Sequence, residues 1–292
     1  MSPDLKRMFI NHLFIKPIRV GVVLLFLVIL SLDLGAQAPL IRQPYPKTWV
    51  GRVFLDHHLK LYVHPFKDLK ATSTYTLMAG SAFALSYAFD ASIERETSTW
   101  IASRATLRNL SEGITIGGGF PLVLGVPTLL YVYGSWRQRP KMRRHGLILG
   151  QCVGHSLISS YLFKALTGRS RPTLTSNAQE WQFLPRSWSD LIEDPSGPKR
   201  AFPSAHSAMA WSMASYMTRS YQNKKWVGAT CYSLAGIVAL SRVTQGEHWA
   251  SDVVIGSLLG YGIGRFSYWV NRRTDHLRMV PWKRKKETSS KF

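Results

Sequence analysis

The chain has 292 residues, of which 37 are Lys or Arg and 16 are Asp or Glu, so its formal net charge at pH 7 is +21. Such a charge predicts an anionic partner, namely nucleic acid, anionic lipid or phosphate. The basic residues cluster in short blocks between apolar runs, which is typical of the loops of a membrane protein. A nucleic-acid binder instead lines one face of a soluble domain with them. We therefore expect membrane lipids as partners and no nucleic acid.

The first 38 residues have the composition of a targeting segment. Basic residues precede the apolar stretch VGVVLLFLVILSL, and the small-residue sequence Ala36–Ala38 then offers a cleavage site. A cleaved signal peptide and an uncleaved anchor both fit, because the apolar stretch approaches the length that spans a bilayer. Both interpretations direct the chain into or across a membrane.

Apolar segments recur along the whole chain, and none of them shows the alternating pattern of a half-buried strand. The segments cover approximately residues 20–38, 74–90, 114–134, 146–166, 205–218, 226–241 and 250–270. Because a spanning helix needs about 20 mostly apolar residues, we predict an all-α transmembrane bundle of about five to six helices. A soluble all-α bundle with buried Gly- and Ala-rich helices is the alternative.

The charges of the loops predict an orientation. The loops at 135–145 and 219–225 carry basic residues and no acids, and the C-terminal residues 271–292 are also strongly basic. The loop at 173–200 carries more acids than bases. By the positive-inside rule the first three are cytoplasmic and the fourth lies outside. With this orientation, the segment 74–90 is expected to pack on the bundle or to dip into the membrane without crossing it.

The chain is accordingly divided into four parts. These are a signal peptide or N-terminal anchor (1–38), an N-terminal helical or linker region (39–113), a catalytic helical bundle (114–271) and a basic cytoplasmic tail (272–292).

Three polar blocks interrupt the apolar runs of the bundle. They are KALTGRSRP (164–172), FPSAHS (202–207) and SRVTQGEHWASD (241–252). The loop charges place all three blocks on the outer side of the membrane. That placement uses charge alone, so it supports a shared site independently of the identities of the polar residues.

The residues of these blocks suit the binding of a phosphoryl group. Lys164, Arg171 and Arg242 supply hydrogen-bond donors for a doubly charged anion. Ser204 is a good N-cap for a helix, and the free N–H groups of the first helical turn point at an anion. His206 lies in that first turn, where it can donate a proton.

His248 and Asp252 are four residues apart, so on a helix they share one face. A carboxylate that holds one imidazole nitrogen fixes the tautomer and leaves the other nitrogen free to attack. The pair is therefore typical of a nucleophile and its orienting partner. Each polar residue alone has an ordinary structural explanation, but ten of them occur in order at these spacings: Lys164, Arg171, Pro172, Pro203, Ser204, His206, Ser241, Arg242, His248 and Asp252.

The pattern K-x6-R-P, then P-S-x-H, then S-R-x5-H-x3-D resembles the type 2 phosphatidic acid phosphatase superfamily. That superfamily includes bacterial membrane lipid phosphatases, secreted class A acid phosphatases and vanadium haloperoxidases. The motifs of the resemblance cover residues 164–252. One position departs from the family pattern, because Ala205 stands where the family usually has glycine. Alanine keeps its backbone N–H, so contact with an anion survives.

The resemblance implies a phosphatase that uses neither a metal nor a cofactor and acts on a lipid phosphate or diphosphate through a phosphohistidine. His248 is the implied nucleophile, Asp252 its partner, and His206 the acid that protonates the leaving group. The implied phosphate-binding residues are Lys164, Arg171, Ser204, Ala205 and Arg242. The implied location is a bacterial-type inner membrane, with several spans and an active site facing the periplasm or exterior. A secreted soluble acid phosphatase, a lipid phosphotransferase and a vanadate-dependent haloperoxidase remain alternatives.

Overall fold

The computed structural model describes residues 57–63, 69–118, 120–183 and 200–272. These residues form helices joined by turns and contain no β-strand, so the all-α fold is confirmed. The segment 1–38, most of the acidic loop and nearly all of the basic tail lie outside this part of the chain. The helices are α1 (His58–Val63), α2 (Leu69–Ala102), α3 (Ala105–Gly118), α4 (Phe120–Trp136), α5 (Pro140–Thr167), α6 (Ala205–Ser220), α7 (Lys225–Thr244) and α8 (Ala250–Arg272).

Two apolar segments have different bounds from those predicted. The run 114–134 is divided between α3 and α4, because it contains the successive glycines 117–119, which are poor helix formers. The run 74–90 is the interior of α2, which has 34 residues and is therefore about 51 Å long. Asp90, the last residue of the predicted run 74–90, is buried.

Helices α6 and α8 are in close contact along a line of glycines. A Cβ atom at Gly256 would lie 2.4 Å from the carbonyl oxygen of Ser204, and one at Gly260 would lie 2.1 Å from that of Ala208. Only residues without a side chain allow two helix backbones to approach this closely. The contact brings the start of α6 against the start of α8, and so places the second polar block beside the third.

Helices α5 and α7 are long and apolar enough to cross a membrane. Large apolar side chains are also exposed on several other helices, including Leu77 on α2 and Leu129 on α4. Soluble monomers rarely expose extended apolar surface, because it is unfavourable in water. These outer faces are typical of a protein that is embedded in lipid.

The glycine contact between α6 and α8 can be tested by adding one methyl group. We expect Gly260→Ala to destabilise the protein by about 1–3 kcal/mol, because the new Cβ overlaps the backbone of Ala208. Gly262→Ala on the same helix is the matched control, since nothing lies within 4 Å of its Cβ. Thermal unfolding in detergent measures both variants. Equal melting temperatures for the two variants would contradict the close packing.

Candidate active site

The three polar blocks lie together at one end of the bundle. The first contains the last turn of α5 and the residues after it, the second begins α6, and the third joins α7 to α8. Backbone hydrogen bonds connect them: the N–H of Ser204 donates to the carbonyl of Asp252 over 3.0 Å, and that of Thr173 donates to the carbonyl of Gly246 over 3.2 Å. The geometry therefore brings the predicted site residues into one region.

The first block changes direction at Gly168. This residue caps α5 in the left-handed conformation, with φ of 52°, and its N–H donates to the carbonyl of Lys164. A Cβ here would lie 2.2 Å from the carbonyl oxygen of Gln182, so the turn requires glycine. Within the preceding turn, Lys164 is buried and its Nζ donates to the carbonyl of Arg200 over 2.5 Å.

The second block begins α6 as the sequence predicts. The hydroxyl oxygen of Ser204 caps the helix by accepting hydrogen bonds from the N–H of Ser207 at 3.4 Å and from its hydroxyl at 3.1 Å. The peptide bond between Phe202 and Pro203 is cis. His206 occupies the first turn, near the positive end of the helix dipole.

His248 lies in the connection between α7 and α8, with only 3% of its surface exposed. Burial lowers the pKa of His248 well below its ordinary value, and the positive charges of Lys164, Arg242 and Arg171 lower this pKa further. The imidazole is consequently neutral at physiological pH. The three cationic side chains are therefore close enough to His248 to act on its charge.

The predicted pair of His248 and Asp252 is adjacent but is not hydrogen-bonded. Nδ1 of His248 lies 3.8 Å from Oδ2 of Asp252, a separation longer than a hydrogen bond. Within the described part of the chain, this Nδ1 has no hydrogen-bond partner. Oδ2 of Asp252 instead accepts a hydrogen bond of 2.9 Å from the N–H of Trp249.

Asp252 has a second partner that the sequence analysis did not identify. Arg169 is fully buried, and its NH1 donates to Oδ1 of Asp252 and, over 2.7 Å, to the hydroxyl of Ser251. Its NH2 donates over 2.6 Å to Oδ2 of Asp90, a residue of α2. The carbonyl of Ala178 accepts from both Nε and NH2 of Arg169, at 3.3 and 2.9 Å. All five N–H groups of the guanidinium therefore have an acceptor.

Aromatic rings enclose this guanidinium. Its central carbon lies 4.7 Å from the ring centre of Trp181, 5.1 Å from that of Tyr87 and 5.5 Å from that of Trp249. The indole N–H of Trp249 donates to the carbonyl of Ser170 over 2.8 Å, which fixes that ring. The rings exclude water from the ion pairs and add cation–π attraction.

The other arginines of the site contact a carboxylate that the sequence analysis left without a role. Glu247 forms an ion pair with Arg171, and its Oε2 lies 3.6 Å from NH2 of Arg242. The side chain of Glu247 is about one-third exposed, at 34%. A carboxylate between two guanidinium groups marks this position as one where an anion is stabilised.

Two features of the sequence could have indicated the roles of Arg169 and Asp90. Arg169 lies inside the first polar block, between Lys164 and Arg171. Asp90 is an isolated acid at the end of the apolar run MAGSAFALSYAFD, and an ionisable residue in such a run is a candidate for a functional role. The separation of Asp90 from the blocks along the chain concealed its partner.

Comparison with known proteins agrees with this site. Residues 145–275 match the family model of the PAP2 superfamily. A lipid A 1-phosphatase from Porphyromonas gingivalis is 32% identical over 72 residues, which cover 24% of this chain and 16% of that protein. A probable diacylglycerol pyrophosphate phosphatase 1 from Schizosaccharomyces pombe is 24% identical over 202 residues, which cover 54% of this chain and 69% of that protein.

A solved structure has the same fold. The first transmembrane PAP2 type phosphatidylglycerolphosphate phosphatase from Bacillus subtilis superposes with a TM-score of 0.52 and 20% identity, over 70% of this chain and 98% of that one. The sequence motifs, the family model and the fold agree, and the names of the relatives support a phosphatase, as the resemblance implied. The match of residues 145–275 to the PAP2 superfamily model confirms the resemblance that the motifs carry.

Proposed function

We propose that the protein is a membrane phosphatase that hydrolyses a lipid phosphate or diphosphate without a metal, through a phosphohistidine at His248. The observation that carries this proposal is the neutral, buried imidazole of His248 among the cationic groups of Lys164, Arg171 and Arg242. Such a set of donors binds a phosphoryl dianion and stabilises the charge that develops on its oxygens during transfer. The role of a metal ion is thereby filled by side chains.

The lipid character of the substrate is inferred from two observations. The relatives reported above are named for lipid A and for diacylglycerol pyrophosphate. In addition, the outer helix faces expose apolar side chains, including Leu240 on α7, whose last turn contains Arg242. An acyl chain in the bilayer can therefore lie against the bundle while its headgroup reaches the ends of the helices.

In the first chemical step, Nε2 of His248 attacks phosphorus. The P–N bond forms as the bond between phosphorus and the leaving oxygen breaks, and that oxygen takes the electron pair. His206 donates a proton to it, which releases the alcohol or the phosphate ester. Asp252 faces Nδ1 of His248 and stabilises the positive charge that the imidazole gains. We expect their 3.8 Å separation to shorten when that charge develops.

In the second step, water attacks the phosphohistidine. His206, now neutral, accepts the proton of the water as a general base, because the second step reverses the proton transfer of the first. The P–N bond breaks and its electron pair returns to Nε2 of His248, so inorganic phosphate leaves and the enzyme is regenerated. The N–H groups at the start of α6, including that of Ala205, and the side chain of Ser204 are proposed to bind the phosphate oxygens in both steps.

Release of phosphate by the purified protein tests this function. We expect turnover of a panel of lipid phosphates and diphosphates in detergent, unchanged by EDTA and inhibited by orthovanadate, which mimics the trigonal-bipyramidal transition state. Loss of activity in EDTA that a divalent ion restores would contradict the metal-free mechanism. Oxidation of bromide after addition of vanadate would favour a haloperoxidase instead.

Replacement of His248 and replacement of His206 are expected to impair the reaction in different ways. His248→Ala prevents formation of the phosphoenzyme, whereas His206→Ala removes the proton donor and lowers kcat by about 10²–10⁴-fold. The loss in His206→Ala is expected to be smallest for a nitrophenyl ester or a diphosphate, whose leaving groups need little protonation, and largest for an alkyl phosphate. Turnover of both substrate types and trapping of acid-labile phosphoenzyme measure these effects. A phosphoenzyme in His248→Ala, or an equal loss for both substrates in His206→Ala, would show that the roles are assigned wrongly.

We also propose that the site opens to the periplasm or exterior, in a transmembrane bundle of about five to six helices. The basic connection between α4 and α5, which contains Arg137 and Arg139, supports a cytoplasmic location for the opposite end. A reporter fused after residue 180 is expected to be active outside the cytoplasm, and one fused after Lys141 inside it. Reversed reporter signals would show that the orientation in the membrane is opposite to the one proposed.

A further inference from the structure

The ion pairs beneath the proposed nucleophile have an unbalanced charge. One guanidinium, that of Arg169, lies between two carboxylates, those of Asp90 and Asp252, and all three side chains are fully buried. Ser251 bridges them, because its N–H and hydroxyl donate to Asp90 at 2.8 and 2.5 Å while its oxygen accepts from Arg169. The cluster therefore carries a net charge of −1 when both acids are ionised.

This sharing of one cation has a consequence for Asp252. If Arg169 had a single carboxylate partner, its charge would neutralise that partner fully. Asp90 takes part of the charge of Arg169, so Asp252 keeps more of its own negative charge. The remaining oxygen of Asp252, Oδ2, is the one that faces Nδ1 of His248 at 3.8 Å.

We infer that Arg169 and Asp90 are positioning residues that act through Asp252 on His248: Arg169 fixes the orientation of the Asp252 carboxylate, and Asp90 preserves its charge. This inference rests on the proposed function, and it adds a part of the chain to the site. Asp90 belongs to α2 and lies outside the residues that match the family model, 145–275. The N-terminal region thus completes a site whose other residues lie within or beside that segment.

The charges that face His248 come from every surrounding element. Lys164 from α5, Arg171 from the segment after it and Arg242 from α7 lie on the cationic side, and His206 from α6 also faces His248. Asp252 from α8 lies on the other side, and the carboxylate of Glu247 is paired with the two arginines. A change of charge at Asp90 or Arg169 is transmitted to His248 through Asp252, so its effect has a predictable sign.

Asp90→Asn keeps the shape of the side chain and removes its charge. Asp252 is then neutralised by Arg169 alone, the protonated imidazole of His248 is less stabilised, and its pKa falls. We expect the acid limb of the pH profile of kcat/KM to move to lower pH by about one unit. We expect kcat to fall about tenfold, equivalent to one pKa unit of lost stabilisation of the imidazolium, with KM unchanged.

Arg169→Gln has the opposite sign. It leaves two buried carboxylates without their cation, so the acid limb moves to higher pH, and kcat falls by more than in Asp90→Asn because the orientation of Asp252 is lost. The double variant Arg169→Gln with Asp90→Asn has the same net charge as the wild type. We expect its acid limb to return to the wild-type position, because the net charge beside His248 is restored.

Gln151→Leu is the matched control. Gln151 is a buried polar residue of α5 that hydrogen-bonds to His155 and Asn271, and it lies 13 residues before Lys164, about 20 Å along the helix. Its replacement is expected to lower the melting temperature and leave the acid limb in place. Acid limbs that coincide in the wild type, Asp90→Asn and Arg169→Gln would overturn the inference, and so would an acid limb of the double variant that stays at the position of Arg169→Gln.

A measurement without turnover separates this inference from the proposed function. Diethyl pyrocarbonate reacts only with a neutral imidazole, so the pH dependence of the modification of His248, followed by peptide mass spectrometry, reports its pKa directly. We expect the pKa of His248 to follow the order of the acid limbs. It is lowest in Asp90→Asn, intermediate in the wild type and the double variant, and highest in Arg169→Gln. If the wild type releases no phosphate but this order holds, the proposed function fails and the coupling of Asp90 and Arg169 to His248 remains. Equal pKa values overturn the coupling itself.

Discussion

The structure of the site depends on one buried guanidinium, that of Arg169. Removing a charge from water costs several kcal/mol unless ion pairs and hydrogen bonds replace the lost hydration, and here every N–H of the group has an acceptor. The acceptors come from α2, from the segment after α5 and from α8. These elements must therefore keep their relative positions, since movement of any of them would leave a buried charge without its partner.

His248 lies at the boundary between two regions of opposite charge. On one side, Lys164, Arg171 and Arg242 create a positive field, which adds to the effect of burial in lowering the pKa of His248 and which would favour the proposed phosphoryl dianion. On the other side, Asp252 supplies negative charge, which in the proposed mechanism would favour the imidazolium formed when nitrogen attacks phosphorus. A nucleophilic imidazole requires both conditions, because it must be neutral before the attack and is cationic after it.

Backbone geometry determines how closely these regions approach one another. Gly256 lets the first turn of α8 approach the residue that caps α6, so Asp252 and Ser204 are joined by a backbone hydrogen bond. Gly168 turns the chain sharply after Lys164, with φ of 52°, and sends Arg169 inward. Neither glycine carries a functional group, but both are needed for the side chains of three distant segments to meet.

The helical class and the residues of the three polar blocks could be predicted from sequence, because both depend on short-range information. Helix formation follows from apolar composition along the chain. The spacing of four predicted that His248 and Asp252 would be adjacent, although His248 precedes the helix that contains Asp252. The pairing of Arg169 with Asp252 and with Asp90 could not be predicted in this way, since these contacts join residues 83 and 79 positions apart. The tertiary structure also decided that Glu247 lies between Arg171 and Arg242, and that Nδ1 of His248 is 3.8 Å from Asp252. Helical periodicity fixes which residues share a face, but the partner that neutralises a buried charge is selected by the packing of whole helices.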